Sequence, residues 1–184
     1  MIPADAFRAQ LRAAPLIKLF DYWQLIRGRR LMPSWSDIRP EEIPSVLPQI
    51  WAWRLDDSDE PRIRLVGERI LEVISRNVRQ KSPGELYPAA QAAAIRARIL
   101  KVAKTPTCSF TIGKVFDGRI DVGLGERLTL PYADADGRLG VIGASNLASA
   151  SDAETGRPIS FKPMTLYYLE GDEYFMKLTK GFAT

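Results

Sequence analysis

Apolar residues recur at helical spacing in the first part of the chain and at strand spacing further on. Leu16, Leu19, Phe20, Trp23 and Ile26 fall on one face of a helix. Pro15 suits its first turn, where the missing N–H has no intrahelical partner anyway, and Gly28 is a natural stop. Residues 4–13 carry Phe7 and Leu11 on one side of a shorter helix before it. Pro40, with Glu41 and Glu42 near the positive end of a helix dipole, starts another short helix. Ile43, Val46 and Leu47 form its apolar side and Pro48 closes it. Trp51, Trp53 and Leu55 then alternate with Ala52 and Arg54, and Ile63 and Leu65 alternate with Arg62 and Arg64. The charged turn Asp56-Asp57-Ser58-Asp59-Glu60-Pro61 joins these runs into an antiparallel hairpin.

Residues 67–87 are less regular. Ile70, Leu71, Val73 and Ile74 suggest one or two helical turns, followed by a polar loop from Arg76 to Gly84. A longer helix begins near Pro88, runs through Ala92, Ile95, Ile99 and Val102, and ends at Thr105-Pro106. Beyond it, Asp117-Gly118 and Asp136-Gly137 separate the runs Ser109–Phe116, Arg119–Tyr132 and Leu139–Leu147. Asp-Gly is favoured in tight hairpins because both central residues reach positive φ cheaply. Three strands joined in this way form a meander. The expected fold is therefore α+β: a five-stranded antiparallel sheet with helices on one face, plus an N-terminal helical extension. Residues 1–30 form the extension, 31–148 the main domain, and 149–184 a linker and tail. The tail carries Phe161, Tyr167, Tyr168, Tyr174 and Phe175, so it reads as ordered, either on its own domain or on another chain. The Leu16–Ile26 face likewise suits the domain's own core or the surface of a partner.

Bulk properties narrow the function. The chain has 184 residues, a net charge of +4, 46% apolar and 26% charged residues, an ordinary globular balance. The spread-out basic excess gives no argument for nucleic acid. Histidine is absent, which removes the usual general base, the commonest metal ligand and the usual pH switch. Cys108 is the single cysteine, so neither an internal disulfide nor a thiolate metal cluster forms, and no metal site is expected. No run approaches about 18 consecutive apolar residues, so no membrane span is expected, and a cytoplasmic setting follows as the default. No catalytic constellation is evident, and the expectation is a protein that is not an enzyme.

Some charged groups invite a chemical reading. Asp56, Asp57, Asp59 and Glu60 could act as paired carboxylates but sit in a predicted turn, where solvation is the simpler role. Lys18, Arg27, Arg29 and Arg30 could hold an anion, or clamp the turn onto acids such as Asp37. Arg64 lies in a half-buried strand and needs a partner, either a structural carboxylate or a ligand anion. Gly123-Leu124-Gly125 lies mid-strand and reads as a bulge.

The block from Tyr22-Trp23 through Arg27-Gly28-Arg29-Arg30-Leu31-Met32-Pro33, Asp37-Ile38-Arg39-Pro40 and Leu47-Pro48 to Arg64-Leu65-Val66-Gly67 resembles a bacterial PAS-like family common in alphaproteobacteria. The resemblance covers about residues 16–147. It departs from that family at Glu68, where a small hydroxyl residue is usual, and at Ser75-Arg76-Asn77-Val78-Arg79-Gln80, where two glycines are lost and a base is gained. The resemblance implies a sensory or regulatory module in signal transduction. A small-molecule cavity would lie between the sheet and its helices, lined by Trp51, Trp53, Arg64, Tyr87, Phe110, Phe116, Tyr132 and Ile142. Ordinary core packing explains most of these residues equally well. Partners would be a small ligand, signalling proteins and a second copy in a homodimer; an association module with a filled core is the alternative. The cofactor is unknown. The lack of histidine argues against haem, and Cys108 does not lie in the segment that carries a flavin-adduct cysteine.

Overall fold

A computed structural model describes residues 4–74, 78–116, 121–147, 164–169 and 174–178. Its centre is an antiparallel sheet of β1 (Ile50–Leu55), β2 (Pro61–Val66), β3 (Thr107–Phe116), β4 (Asp121–Ala133), β5 (Leu139–Leu147), β6 (Met164–Leu169) and β7 (Tyr174–Leu178). The spatial order is β2-β1-β5-β4-β3-β6-β7. The five expected strands are contiguous as 2-1-5-4-3, with the β1–β2 hairpin joined to the meander through the β1–β5 pair. The tail adds two strands to the β3 edge, Cys108 standing opposite Tyr168, so it pairs in cis.

Because side chains alternate along a strand, the registers sort residues onto two faces. Ile50 pairs with Ala144, Ala144 with Leu128 and Leu128 with Phe110, which places all four on one side, here called the outer face. Trp51 pairs with Gly143, Gly143 with Thr129 and Thr129 with Ser109, on the inner face.

Helices α1 (Ala4–Arg8) and α2 (Ala14–Arg27) cover the outer face. Leu16, Leu19, Phe20 and Trp23 are buried there against Phe110, Leu128, Leu130 and Ile142. Each such side chain stabilises the fold by about 1.5–3 kcal/mol. Phe7 stacks on Phe20 with centroids 5.2 Å apart. Trp23 Nε1 donates to the Pro131 carbonyl at 2.8 Å, and Ala13 N donates to Glu126 Oε2 at 3.1 Å. The extension is thus a second helical layer, and its apolar face offers no free surface for a partner.

The segment after α2 forms three 3-10 turns, at Trp35–Asp37, Pro40–Glu42 and Leu47–Gln49, instead of the expected helix from Pro40. Pro44 is the reason. Ile43 N can close a turn on the Pro40 carbonyl at 3.1 Å, but Pro44 has no N–H for the next helical bond. Ile43 and Val46 still bury completely. Tyr22 Oη ties the turns to α2, donating to the Asp37 carbonyl at 3.2 Å and accepting from Arg39 N at 2.7 Å. Gly67 closes the segment. A Cβ there would lie 2.1 Å from the Leu47 carbonyl oxygen, so only glycine admits this approach.

The inner face is covered by α5 (Ala89–Lys104) with α4 (Pro83–Leu86) packed on it, while α3 (Glu68–Ile74) sits against the 3-10 turn Leu47–Gln49. Ile99, Val102 and Ala103 of α5 pack on Trp53, Leu55, Ile63 and Val141. Helix α4 replaces part of the expected polar loop and is held by a capping box, with Ser82 N donating to Glu85 Oε2 at 2.8 Å. Residues 80–81 run along the free edge of β2, where Gln80 N donates to the Ile63 carbonyl and Ile63 N to that of Lys81, both at 3.0 Å.

At one end of the sheet the turns 56–60 and 134–138 lie side by side. Asp134 N donates to the Arg138 carbonyl at 2.7 Å and Gly137 N to the Asp134 carbonyl at 3.0 Å, with Gly137 at φ +80. This is a three-residue loop with one left-handed glycine, where Asp-Gly alone suggested a two-residue turn. Asp117-Gly118 lies outside the described residues. The β3–β4 register shifts between Lys114↔Leu124 and Phe116↔Asp121, which puts the extra residue on β4 beside the bulge expected at Gly123-Leu124-Gly125.

Candidate functional site

Beneath α5 the inner wall of the sheet is polar. Register places Thr107 and Ser109 of β3, Arg127 and Thr129 of β4, and Ser145 of β5 on this side. Thr107, Ser109, Thr129 and Ser145 are buried. Ser145 Oγ accepts from Trp51 Nε1 at 2.9 Å and from Arg127 Nε at 3.1 Å. The Arg127 guanidinium stands 5.8 Å from the Trp51 ring centre. Trp51 lies flat over Gly143, where a Cβ would come within 2.3 Å of its Cζ2. Arg127 as a residue keeps partial exposure, yet desolvation dominates its guanidinium. Burial pushes its pKa below the ordinary arginine value, the like charge of Arg98 adds to this, and Tyr87 opposes it.

The sheet divides the residues expected to line one cavity. Trp51, Trp53 and Tyr87 stand on the inner side, in or against the α5 core. Phe110, Tyr132 and Ile142 turn to the outer side, among the α1–α2 contacts. Their parity along the strands is opposite to that of Trp51, so one cavity cannot hold all of them. Side-chain placement at Phe116 lies outside the described residues. Tyr132 lies over Gly140, its hydroxyl donates to the Trp53 carbonyl at 3.3 Å, and burial pushes its pKa up to about 12. Sequence reasoning missed Arg127, Ser109 and Ser145. The signal that marks them is the alternation Thr107-Cys108-Ser109-Phe110 and Arg127-Leu128-Thr129-Leu130, in which every inward residue is polar.

Arg64 is also on the outer side. The register shift between Ala52 and Trp53 leaves Arg64 as the extra residue of a bulge, which re-aims its side chain. Its guanidinium stands 4.0 Å from the Trp35 ring centre and 2.5 Å from Asp134 Oδ2. Around it lies an open cleft of about 490 Å³, lined among others by Trp35, Arg54, Asp56, Asp57, Arg62 and Arg138. Its charges are matched. Arg54 pairs with Asp136, and its Nε lies 3.0 Å from Asp134 Oδ2 without hydrogen-bond alignment. Arg138 reaches Asp57 at 2.5 Å and Asp136 at 3.0 Å, and Arg62 reaches Glu85 at 2.8 Å. Asp59 and Glu60 hold Lys104 and Arg96 of α5 at 2.5 and 2.6 Å. The acidic turn is therefore a joint between hairpin and helix. These exposed pairs lock the two turns together, each contributing little alone.

The basic segment is spent locally. Arg27 Nη1 donates to the Arg30 carbonyl at 2.8 Å, and Arg30 Nη2 donates to the Ile26 carbonyl at 2.6 Å and pairs with Asp37 at 2.7 Å. These arginines cap the end of α2. Cys108 is buried on the outer face. Among the described residues, no group of three or more His, Cys, Asp or Glu is set to hold a metal, and no helix is long and apolar enough to cross a membrane.

A 2-1-5-4-3 antiparallel sheet with helices on both faces and a partly polar inner wall defines an α+β domain. Residues 11–144 match the PAS domain family, more than half of the chain, and the chain belongs to that family. It carries the general character of that family, a sensory or regulatory module. No curated protein and no solved structure matches the chain.

Proposed function

We propose that the chain is a non-catalytic PAS module of bacterial signal transduction that holds a small molecule between its sheet and α5 and reports its presence to a signalling protein by association. The supporting observation is the wall of Ser109, Arg127, Thr129 and Ser145 beneath α5. Small-ligand sites combine an apolar surround with a few converging polar groups, and Trp51 and Tyr87 supply that surround here. Native mass spectrometry of the full chain purified from its natural source tests the reading. The expected result is an excess mass that denaturation releases. A chain without excess mass, which also takes up nothing from a small-molecule extract of the same cells, refutes it. A measured turnover overturns the non-catalytic part.

The competing reading is an association module with a filled core. Leu25 and Leu31, 76% and 56% exposed near the end of α2, favour it. A homodimer formed there gives a light-scattering mass of two chains that falls to one in Leu25→Asp; a mass of one chain in the unaltered protein counts against it.

A further inference from the structure

Strands β3, β4 and β5 show two chemically different sides to the two helical layers. Toward α1 and α2 they present Phe110, Leu128, Leu130 and Ile142; toward α5 they present Val141 together with hydroxyls and one arginine. On that inner wall, donors outnumber acceptors. Ser145 Oγ already accepts two hydrogen bonds, from Trp51 Nε1 and Arg127 Nε, so only its own O–H remains to be given. Thr107 Oγ1 and Ser109 Oγ are enclosed and lack any hydrogen-bond partner. Among the described residues, no carboxylate pairs with Arg127. Its neighbour Glu126 accepts instead from Ala13 N, at the start of α2 on the outer side. Another cation, Arg98, acts on Arg127 and pushes its pKa further down.

A desolvated guanidinium without a counter-charge is unfavourable, and unbonded enclosed hydroxyls add to the deficit. An oxyanion that accepts two bonds from the Arg127 Nη atoms and one from the Ser145 hydroxyl supplies the missing counter-charge. We infer that the inner face of the sheet beneath α5 binds a small organic carboxylate, with Arg127 as its anion-binding residue and Trp51 and Tyr87 flanking its apolar part. A carboxylate, not a phosphate ester, suits a wall with one arginine and hydroxyls around it. The inference rests on the sensory reading and specifies its ligand.

The test uses the full chain and a panel of straight-chain and aromatic monocarboxylates, each paired with its primary amide, with inorganic phosphate as a further arm. Binding is read by isothermal titration calorimetry and by the shift in melting temperature. The expected result is that at least one carboxylate binds and its amide does not, with affinity falling about tenfold or more in Arg127→Met, the loss of a charge-assisted contact. Arg127→Lys, which keeps the charge but not the fork, recovers part of the loss. The ligand-free Arg127→Met protein is expected to melt at or above the temperature of the unaltered chain, because an uncompensated charge has been removed. Equal binding of acid and amide, or binding of phosphate alone, overturns the carboxylate inference and leaves the sensor intact. A ligand-free Arg127→Met that melts far lower overturns it too, by making Arg127 a structural group. A chain that binds no panel member and carries no molecule from its source defeats both the inference and the sensory reading.

Discussion

Gly67→Ala is expected to destabilise the fold severely although it adds only one methyl group. The new Cβ would stand 2.1 Å from the Leu47 carbonyl oxygen and 2.6 Å from that of Pro48. Both obstacles are backbone, so no rotamer change relieves them. Moving them opens the 3-10 turn Leu47–Gln49 and pulls on the bond from Gly67 N to the Ile50 carbonyl, 2.7 Å long, at the start of β1. Overpacking costs about 1–3 kcal/mol, and stretching that bond adds about 1 kcal/mol, so a total of about 2–4 kcal/mol is expected. For a chain of this size that lowers the melting temperature by about 4–16 °C. Two other glycines calibrate the result. Gly28→Ala meets no atom within 4 Å but sits at φ +57, so its cost is conformational, about 1–3 kcal/mol. Gly84→Ala lies inside α4 with only Ser82 Oγ nearby at 3.9 Å and is expected to be neutral or slightly stabilising. Urea unfolding of the three variants measures the series. A Gly67→Ala loss below about 1 kcal/mol, or one no larger than that of Gly84→Ala, would refute the close approach.

Stability is expected to fall as the solution is acidified. The carboxylates of Asp37, Asp56, Glu85 and Asp136 all titrate below their ordinary values, chiefly because hydrogen bonds from Ser34, Ser58, Ser82 and Arg138 respectively favour the charged form. Protons bind these groups more weakly in the folded chain, so their contribution is intact above the unfolded values near 4. For Glu85 it is lost between its ordinary 4.5 and about 2, and Glu85→Gln should flatten that part of the stability–pH curve. Trp23→Phe leaves the Pro131 carbonyl without its 2.8 Å donor in the outer core, and a loss of about 1–3 kcal/mol is expected from its urea midpoint. Asp134→Asn removes the carboxylate shared by Arg54 and Arg64. As both arginines are partly exposed, about 1–3 kcal/mol is expected, and a double-mutant cycle with Arg64→Met should show coupling.

The hairpin, the α5 helix and the meander were legible because each is a local pattern. Period-2 alternation survives in Trp51-Ala52-Trp53-Arg54-Leu55, and Pro and Gly punctuate the breaks. What misled the site residues was the phase. Large apolar residues such as Phe110, Tyr132 and Ile142 suggest a lining when helices are assumed on one face only. With α1 and α2 on the other face, those residues are core, and the informative phase is the one carrying Ser109, Arg127 and Ser145. The bulge at Arg64 leaves no local mark, because it depends on how β2 pairs with β1 in space. The ion pair from Arg64 to Asp134 joins residues 70 positions apart and is equally silent in a single sequence. Pro44 and the Ser82-x-x-Glu85 spacing are local signals for the 3-10 turns and α4, yet the wider pattern there suggests a helix from Pro40 and a polar loop.

The polar inner wall has a consequence for where the stability of the domain resides. A sheet that turns hydroxyls and an arginine toward α5 gives up part of the hydrophobic burial that face could supply, so the outer core has to provide more of it. That core includes Phe7, Leu11, Leu16, Leu19, Phe20 and Trp23 from the N-terminal helices, each no more than 4% exposed. At about 1.5–3 kcal/mol per side chain, their burial amounts to on the order of 10 kcal/mol. That is comparable with the whole net stability of an ordinary domain, about 5–15 kcal/mol. A boundary at residue 30 therefore cuts through the core, even though composition and turn signals suggest it. A chain lacking residues 1–30 is expected to lose its cooperative unfolding transition and expose Phe110, Leu128 and Leu130, and adding a peptide of residues 1–30 should restore part of the transition. Far-UV circular dichroism during urea titration measures this. A truncated chain that unfolds cooperatively within about 2 kcal/mol of the full one would mean that α1 and α2 are accessories, and that the α5 layer carries the fold.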